Sequence, residues 1–285
     1  MNKVYACIDG FGNTSAVIDW ATWSALRLDV PLEFLHVLER HPGRAGVSDY
    51  SGAIGLGAQE SLLQELSALD EKRSKLATEG GRRLLAAARE RAETAGVARH
   101  DARLRHGELV DGVLDAEADA RLFVLGEHRR AEANGRIHLD HHVERVVRSV
   151  KRPVLVVTSE TFAAPTRFVI AFDGSPTARK TVETVARSPM LAGLPALLAM
   201  AGSDTPEARR QLEDARLALA SAGFVAETEF AAGEPEDVLP ALVAGHAPAL
   251  LVMGAYGHSR IRQLIVGSTT TTLLRTSVVP VLILR

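Results

Sequence analysis

Short apolar runs, each closed by Gly, Asp or Pro, recur along this chain, and they recur twice. Val4-Tyr5-Ala6-Cys7-Ile8 runs into Asp9-Gly10, as Phe168-Val169-Ile170-Ala171-Phe172 runs into Asp173-Gly174. Leu122-Phe123-Val124-Leu125-Gly126 is matched by Leu250-Leu251-Val252-Met253-Gly254, and Pro153-Val154-Leu155-Val156-Val157 by Pro280-Val281-Leu282-Ile283-Leu284. Gly107-Glu108 with Asp111 has its counterpart in Gly233-Glu234 with Asp237. Runs this short and this uniformly apolar fit strands buried on both faces. Helical patterns fill the intervals: 15–28 and 175–187 after the first strands, 59–95 and 206–222 after the second, 109–118 and 235–244 after the third. Strand–helix alternation predicts a parallel sheet with helices on both faces, built here as two copies of one plan.

The copies differ in length at one place. Gly10 and Gly107 are 97 residues apart, Gly174 and Gly233 only 59, so the first copy is 38 residues longer there. The extra residues, about 40–77, predict a glycine-dotted loop and a longer second helix. Gly52, Gly55 and Gly57 invite a phosphate-loop reading, but no strand directly precedes them, which favours a mobile loop or a flap over a partner surface. Residues 158–166 read as a linker, giving domains at 1–158 and 167–285.

Candidate chemistry concentrates near the C-terminus. Gly254, Gly257, Gly267 and Ser268 follow a buried strand and precede a helix-like stretch from Thr269. Glycines let backbone N–H groups close on an anion, and a helix start adds unpaired donors and the positive dipole end. Ser268 adds a hydroxyl. His258 and Arg260 lie within the loop; Arg260 has planar donors suited to phosphate oxygens. Asp173 ends a strand that opens on the same crevice, where open α/β sheets take their ligands. Asp173-Gly174-Ser175-Pro176 also reads as a plain turn and helix cap, and the two readings are compatible.

The string Val252-Met253-Gly254-Ala255-Tyr256-Gly257-His258, then Val266-Gly267-Ser268, then Val279-Pro280-Val281-Leu282-Ile283-Leu284 resembles the C-terminal signature of the universal stress protein family, in its ATP-binding subgroup. The resemblance implies two tandem five-stranded, Rossmann-like α/β domains paired through their last strands, Val154–Val157 and Val281–Leu284. It further implies an adenine-nucleotide site, ATP with Mg²⁺ or Mn²⁺ carried by the phosphates, formed by Ala171, Asp173, Met253, Gly254, Gly257, His258, Arg260, Gly267, Ser268 and Thr269. A nucleotide-dependent interaction with a protein partner in the stress response is the function expected, and a homodimer or a pseudo-dimer within one chain is the assembly expected.

The first copy departs from the signature. Glu127, His128 and Arg129 follow Gly126, so the second glycine is missing, and Asp140-His141 stand where Gly-Ser is expected. A carboxylate and a bulky ring both oppose a polyphosphate. One nucleotide site per chain, in the second copy, is the expectation.

Bulk properties narrow the alternatives. A formal charge of −2 over 285 residues supplies no general basic field for nucleic acid. No apolar run reaches about 18 residues, as a membrane span requires, and the N-terminus enters a strand with no signal-peptide core. Cys7 has no internal disulfide partner and reads as a core residue; a reducing cytoplasm fits. Trp20 and Trp23 predict one helix face packed on a sheet. His138 and His142 are spaced as an i, i+4 pair, which could hold a metal on a helix, but a solvated helix start is the expected reading and no metal site is expected. No Walker lysine or general base stands out, so slow ATP hydrolysis is the most catalysis expected. An ATP pyrophosphatase would need a Ser-Gly-Gly-x-Asp-Ser loop that neither Asp9-Gly10-Phe11-Gly12 nor Asp173-Gly174-Ser175-Pro176 supplies. The alternative is a nucleotide-free interaction protein with both pockets vestigial.

Overall fold

The computed structural model describes residues 2–39, 56–128, 130–131, 137–138, 140–254 and 268–285. In the first half β1 (Lys3–Cys7), α1 (Thr14–Leu28), β2 (Leu32–Leu38), α2 (Leu56–Thr94), β3 (His100–His106), α3 (Leu109–Ala116) and β4 (Ala120–Gly126) alternate. A two-residue pair, β5 (Arg130–Ala131) and β6 (Ile137–His138), precedes α4 (His141–Ser149) and β7 (Val154–Val157). The second half repeats the plan with β8 (Arg167–Ala171), α5 (Pro176–Ala186), β9 (Ala196–Gly202), α6 (Pro206–Ser221), β10 (Ala226–Ala232), α7 (Pro235–Gly245), β11 (Ala249–Gly254), α8 (Ser268–Thr276) and β12 (Val281–Leu284).

All ten long strands join one sheet in the order β10-β9-β8-β11-β12-β7-β4-β1-β2-β3. Pairing is parallel within each half and antiparallel at the seam, where Val281, Leu282 and Ile283 face Val156, Leu155 and Val154. The expected pairing through the last strands is therefore present. Because the halves run in opposite directions at the seam, their C-terminal strand ends open on opposite sides of the sheet.

The central strands are almost wholly buried, whereas the outermost, β3 and β10, carry only half-buried and exposed positions. Their polar sequences, His-Asp-Ala-Arg-Leu-Arg-His and Ala-Glu-Thr-Glu-Phe-Ala-Ala, suit a sheet edge and discourage further pairing. The core is layered. One face carries α1, α2, α5 and α6, burying Trp20, Leu85, Val182 and Leu219; the other carries α3, α4, α7 and α8, burying Val113, Val146, Leu239 and Leu273.

Local sequence sets the helix starts. Ser175 and Thr205 accept the N–H groups of Ala178 and Ala208 at 3.1 Å, each followed by a proline at the first helical position. Helix α2 has 39 residues where its counterpart α6 has 16. It lands on the sheet at Gly81, where a Cβ would stand 2.7 Å from the His36 ring and 2.9 Å from Leu104. The glycine-dotted loop expected before it lies outside the described residues. Cys7 is buried, and burial pushes its thiol up to about 12. Trp20 is buried against Trp23 and against Phe162 of the linker, with edge-to-face rings 5.4 and 5.1 Å apart. The Arg27 guanidinium at the end of α1 donates to the carbonyls of Met190, at 2.9 Å, and Ala192, tying the two halves together by side-chain hydrogen bonds as well as by the seam. No helix among the described residues is long and apolar enough to cross a membrane.

Candidate functional site

The second-half crevice lies beyond the C-terminal ends of β8 and β11, which are neighbours in the sheet, with β9 on the far side of β8. Residue pairs run from Arg167–Ala249 to Ile170–Val252. This is the switch point of the strand order, where successive crossovers leave on opposite faces. Beyond it the chain turns at Asp173-Gly174, with Gly174 at φ +72°. The Asp173 carboxylate accepts the Ser175 N–H at 2.9 Å, and Ser175 then caps α5. Asp173 is itself exposed. The turn-and-cap reading is realised, and the Asp173 carboxylate at the crevice mouth is exposed with the Ser175 N–H as its one donor among the described residues.

Gly254 ends β11 against the first turns of α5. A Cβ there would lie 2.6 Å from Thr177 Cγ2 and 2.8 Å from Thr181 Oγ1. Close packing of a helix on a strand end is therefore sufficient reason for this glycine. Met253 and Ala171 pack toward the opposite core layer, Met253 fully buried, so their main-chain atoms alone are near the crevice. Helix α8 begins at Ser268 with Thr269 second, as the sequence predicts for the end of the glycine loop. Gly257, His258, Arg260 and Gly267 lie outside the described residues.

The corresponding crevice of the first half is filled by its own side chains. Asp9 sits where Asp173 sits in the second half. Its Oδ1 accepts the Phe11 N–H at 2.9 Å and the Thr14 hydroxyl at 3.1 Å, and its Oδ2 meets His128 Nε2 at 2.5 Å. His128 is the second residue after Gly126, in the loop that lacks the second glycine. Phe11 packs edge-on against the His128 ring, 5.4 Å between centroids. Burial by itself would push the Asp9 carboxyl up, but His128, the Phe11 N–H and Thr14 together hold it below its ordinary value. The same hydrogen bond to Asp9 raises the His128 imidazole, against burial. The two shifts agree with an imidazolium–carboxylate pair.

Behind this pair, buried Asn13 donates to the carbonyls of Glu127, at 3.0 Å, and Val157, at 3.4 Å. Asn13 also crowds Gly126, where a Cβ would stand 2.8 Å from Asn13 Cγ. Buried Glu127 accepts the Asp140 N–H at 3.1 Å. Asp140 caps α4 by accepting the His142 N–H at 2.7 Å. The helix start that would face a phosphate here already has a carboxylate on it.

Sequence reading identified Asp9 and the Asp140-His141 substitution, but not the His128 contact or the Asn13 bridge. Both span more than 110 residues. The one available sign was the replacement of the loop glycine by a side chain able to reach back. The i, i+4 helical pairing of His138 and His142 does not form: His138 ends the two-residue strand β6, and α4 starts only at His141. Asp140, a strong cap, breaks the register between them. Among the described residues no group of three His, Cys, Asp or Glu side chains is placed to hold a metal.

Comparison with known proteins agrees with this architecture. The universal stress protein family model matches twice, over residues 1–158 and 165–285. A universal stress protein of Synechocystis sp., Slr1230, is 33% identical over 288 residues, covering all of both chains. The solved universal stress protein of Archaeoglobus fulgidus DSM 4304 matches with a TM-score of 0.69 at 18% identity, over 100% of this chain and 98% of that one. A functionally unknown protein of Pseudomonas aeruginosa PAO1, PA1789, matches with a TM-score of 0.62 at 16% identity, over 100% and 92%. At such identities the solved structures speak for the fold alone. The doubled family match, the full-length relative and the paired sheet together make this chain a tandem, two-domain member of the universal stress protein family.

Proposed function

We propose that the chain binds one adenine nucleotide, ATP, in its second half, and that the bound nucleotide tunes affinity for a protein partner in the stress response. The observation that carries this reading is the unequal state of two equivalent aspartates. Asp9 is occupied by His128, Thr14 and Phe11, whereas Asp173, among the described residues, accepts only from the Ser175 N–H and stays exposed. In this reading Asp173 accepts from a ribose hydroxyl or the adenine amino group. The first N–H groups of α8, with Ser268 and Thr269, take the phosphates, and Gly257, His258, Arg260 and Gly267 close the loop around them. A divalent cation arrives with the phosphates, since phosphate-bound Mg²⁺ needs few protein ligands. Coupling to a partner requires that nucleotide bind two loop conformations with different affinity.

Isothermal titration of the full chain with Mg-ATP tests this. One nucleotide per chain is expected. Gly267→Asp combined with Ser268→His, which copies the first half, is expected to abolish the heat while leaving the unfolding midpoint in place. A native chain that gives no heat, or a double variant that binds as well as the native chain, overturns the reading in favour of a nucleotide-free interaction protein.

A further inference from the structure

From residue 64 to residue 80, α2 packs on no other element among the described residues. From residue 64 to residue 77 every position is exposed; the helix backbone first reaches the sheet at Gly81, and the first side chain it buries after this stretch is Leu85. At 1.5 Å per residue the unsupported stretch from 64 to 80 is about 25 Å long. Helices in water draw most of their stability from packing an apolar face, not from propensity. This stretch has such a face: Leu66, Leu69 and Leu76 are 38%, 52% and 61% exposed. With Arg73 at the intervening step their spacing is 3-4-3, the heptad repeat of a two-stranded coiled coil.

The charges beside this seam say what covers it. Asp70 pairs with Arg73, Glu71 with Lys75 and Glu79 with Arg83, all within the helix. Glu65 and Lys72, each one residue before a seam position, make no ion pair among the described residues. Those are the flanking positions that choose orientation in a coiled coil. In a parallel dimer Glu65 would face Asp70 of the second copy, a like-charge contact. In an antiparallel dimer with Leu66 against Leu69 of the second copy, Glu65 meets Lys72 of that copy, and the twofold axis repeats both contacts. The neighbouring antiparallel register, one heptad away, would set Lys72 against Lys72 and Glu65 against Glu79.

We infer that the exposed segment of α2 is a self-association site. Two copies of the chain pair antiparallel along Leu66 and Leu69, with Glu65–Lys72 contacts on both sides of the crossing. The site belongs to the first half alone, because α6 is too short to present one.

Sedimentation equilibrium of the full chain over a wide range of concentration tests the inference. The native chain should show a monomer–dimer equilibrium, and Leu66→Glu with Leu69→Glu should sediment as a monomer with an unchanged circular dichroism spectrum. Glu65→Lys alone and Lys72→Glu alone should each weaken the dimer by about threefold to tenfold. The combination, which only exchanges the two charges, should return it to near native strength. A native chain that is monomeric throughout, or a dimer indifferent to the leucine changes, overturns the site. A dimer that the double charge exchange fails to restore overturns the antiparallel arrangement.

Discussion

Gly254 offers a test in which packing and ligand binding can be pulled apart. Replacing it by Ala places a Cβ 2.6 Å from Thr177 Cγ2 and 2.8 Å from Thr181 Oγ1. Comfortable carbon contacts are about 3.5–4.0 Å, so the helix must retreat by roughly 1 Å. Its first turns resist: Ser175 caps them, and the Thr181 hydroxyl is held by the Thr177 carbonyl at 3.0 Å. Overpacking of this kind costs about 1–3 kcal/mol. For a protein of this size that corresponds to a fall of about 2–4 °C in Tm per kcal/mol. The loss should be traceable to two atoms. Thr177→Ser removes Cγ2 and Thr181→Ala removes Oγ1. In that double background Gly254→Ala should lose most of its penalty, a coupling of about 1–2 kcal/mol. Urea unfolding followed by circular dichroism, without nucleotide, measures all four corners of the cycle. A Gly254→Ala chain within about 0.5 kcal/mol of native, the range of a neutral surface change, would refute the packing argument.

Two further outcomes follow from the seam and the filled crevice. Leu155, fully buried and opposite Leu282, should cost about 2–5 kcal/mol when cut to Ala, and both halves should still melt in one transition; a calorimetric trace splitting into two peaks would show that the halves are not coupled through β7 and β12. For the Asp9–His128 pair the depressed carboxyl contributes above its unfolded value and loses that contribution as pH falls through its folded value, while the raised imidazole contributes below its unfolded value and loses it as pH rises through its folded one. The pair therefore helps most between about pH 4 and 6.5, and by less than about 1 kcal/mol because the Asp9 side chain is 43% exposed to screening water. His128→Gln should lower the urea midpoint in that window and leave it unchanged well above it; equal losses on both sides of the window would sink the ion-pair assignment.

The parts of this fold legible in the sequence were those encoded by local periodicity. Apolar runs flanked by Gly and Pro marked the buried strands, and the predicted helices begin and end within a few residues of those observed, as 206–222 does for α6. The edge strands β3 and β10 left no such run, since half of each faces solvent and is polar. Long-range polar contacts were the least visible. Asn13 is an ordinary turn residue in sequence, and only the fold brings it under Glu127 and Val157. Gly254 read as a ligand glycine, but the nearness of Thr177 and Thr181 supplies a packing reason that spacing along one strand cannot reveal. His138 and His142 suggested one helix because the pattern contained both, while the capping carboxylate of Asp140 between them stops it.

Covalent linkage of the halves has a consequence for how their crevices could diverge. Where two identical subunits meet across β7-like and β12-like strands, any substitution enters both crevices at once, and a change that closes one closes the other. Here a single gene product carries both lobes at a fixed ratio, so His128 could settle onto Asp9 in one lobe without touching the lobe that holds Asp173. An aspartate bound by a histidine and one without such a partner among the described residues thus coexist in every molecule, and the asymmetry needs no assembly step to establish it.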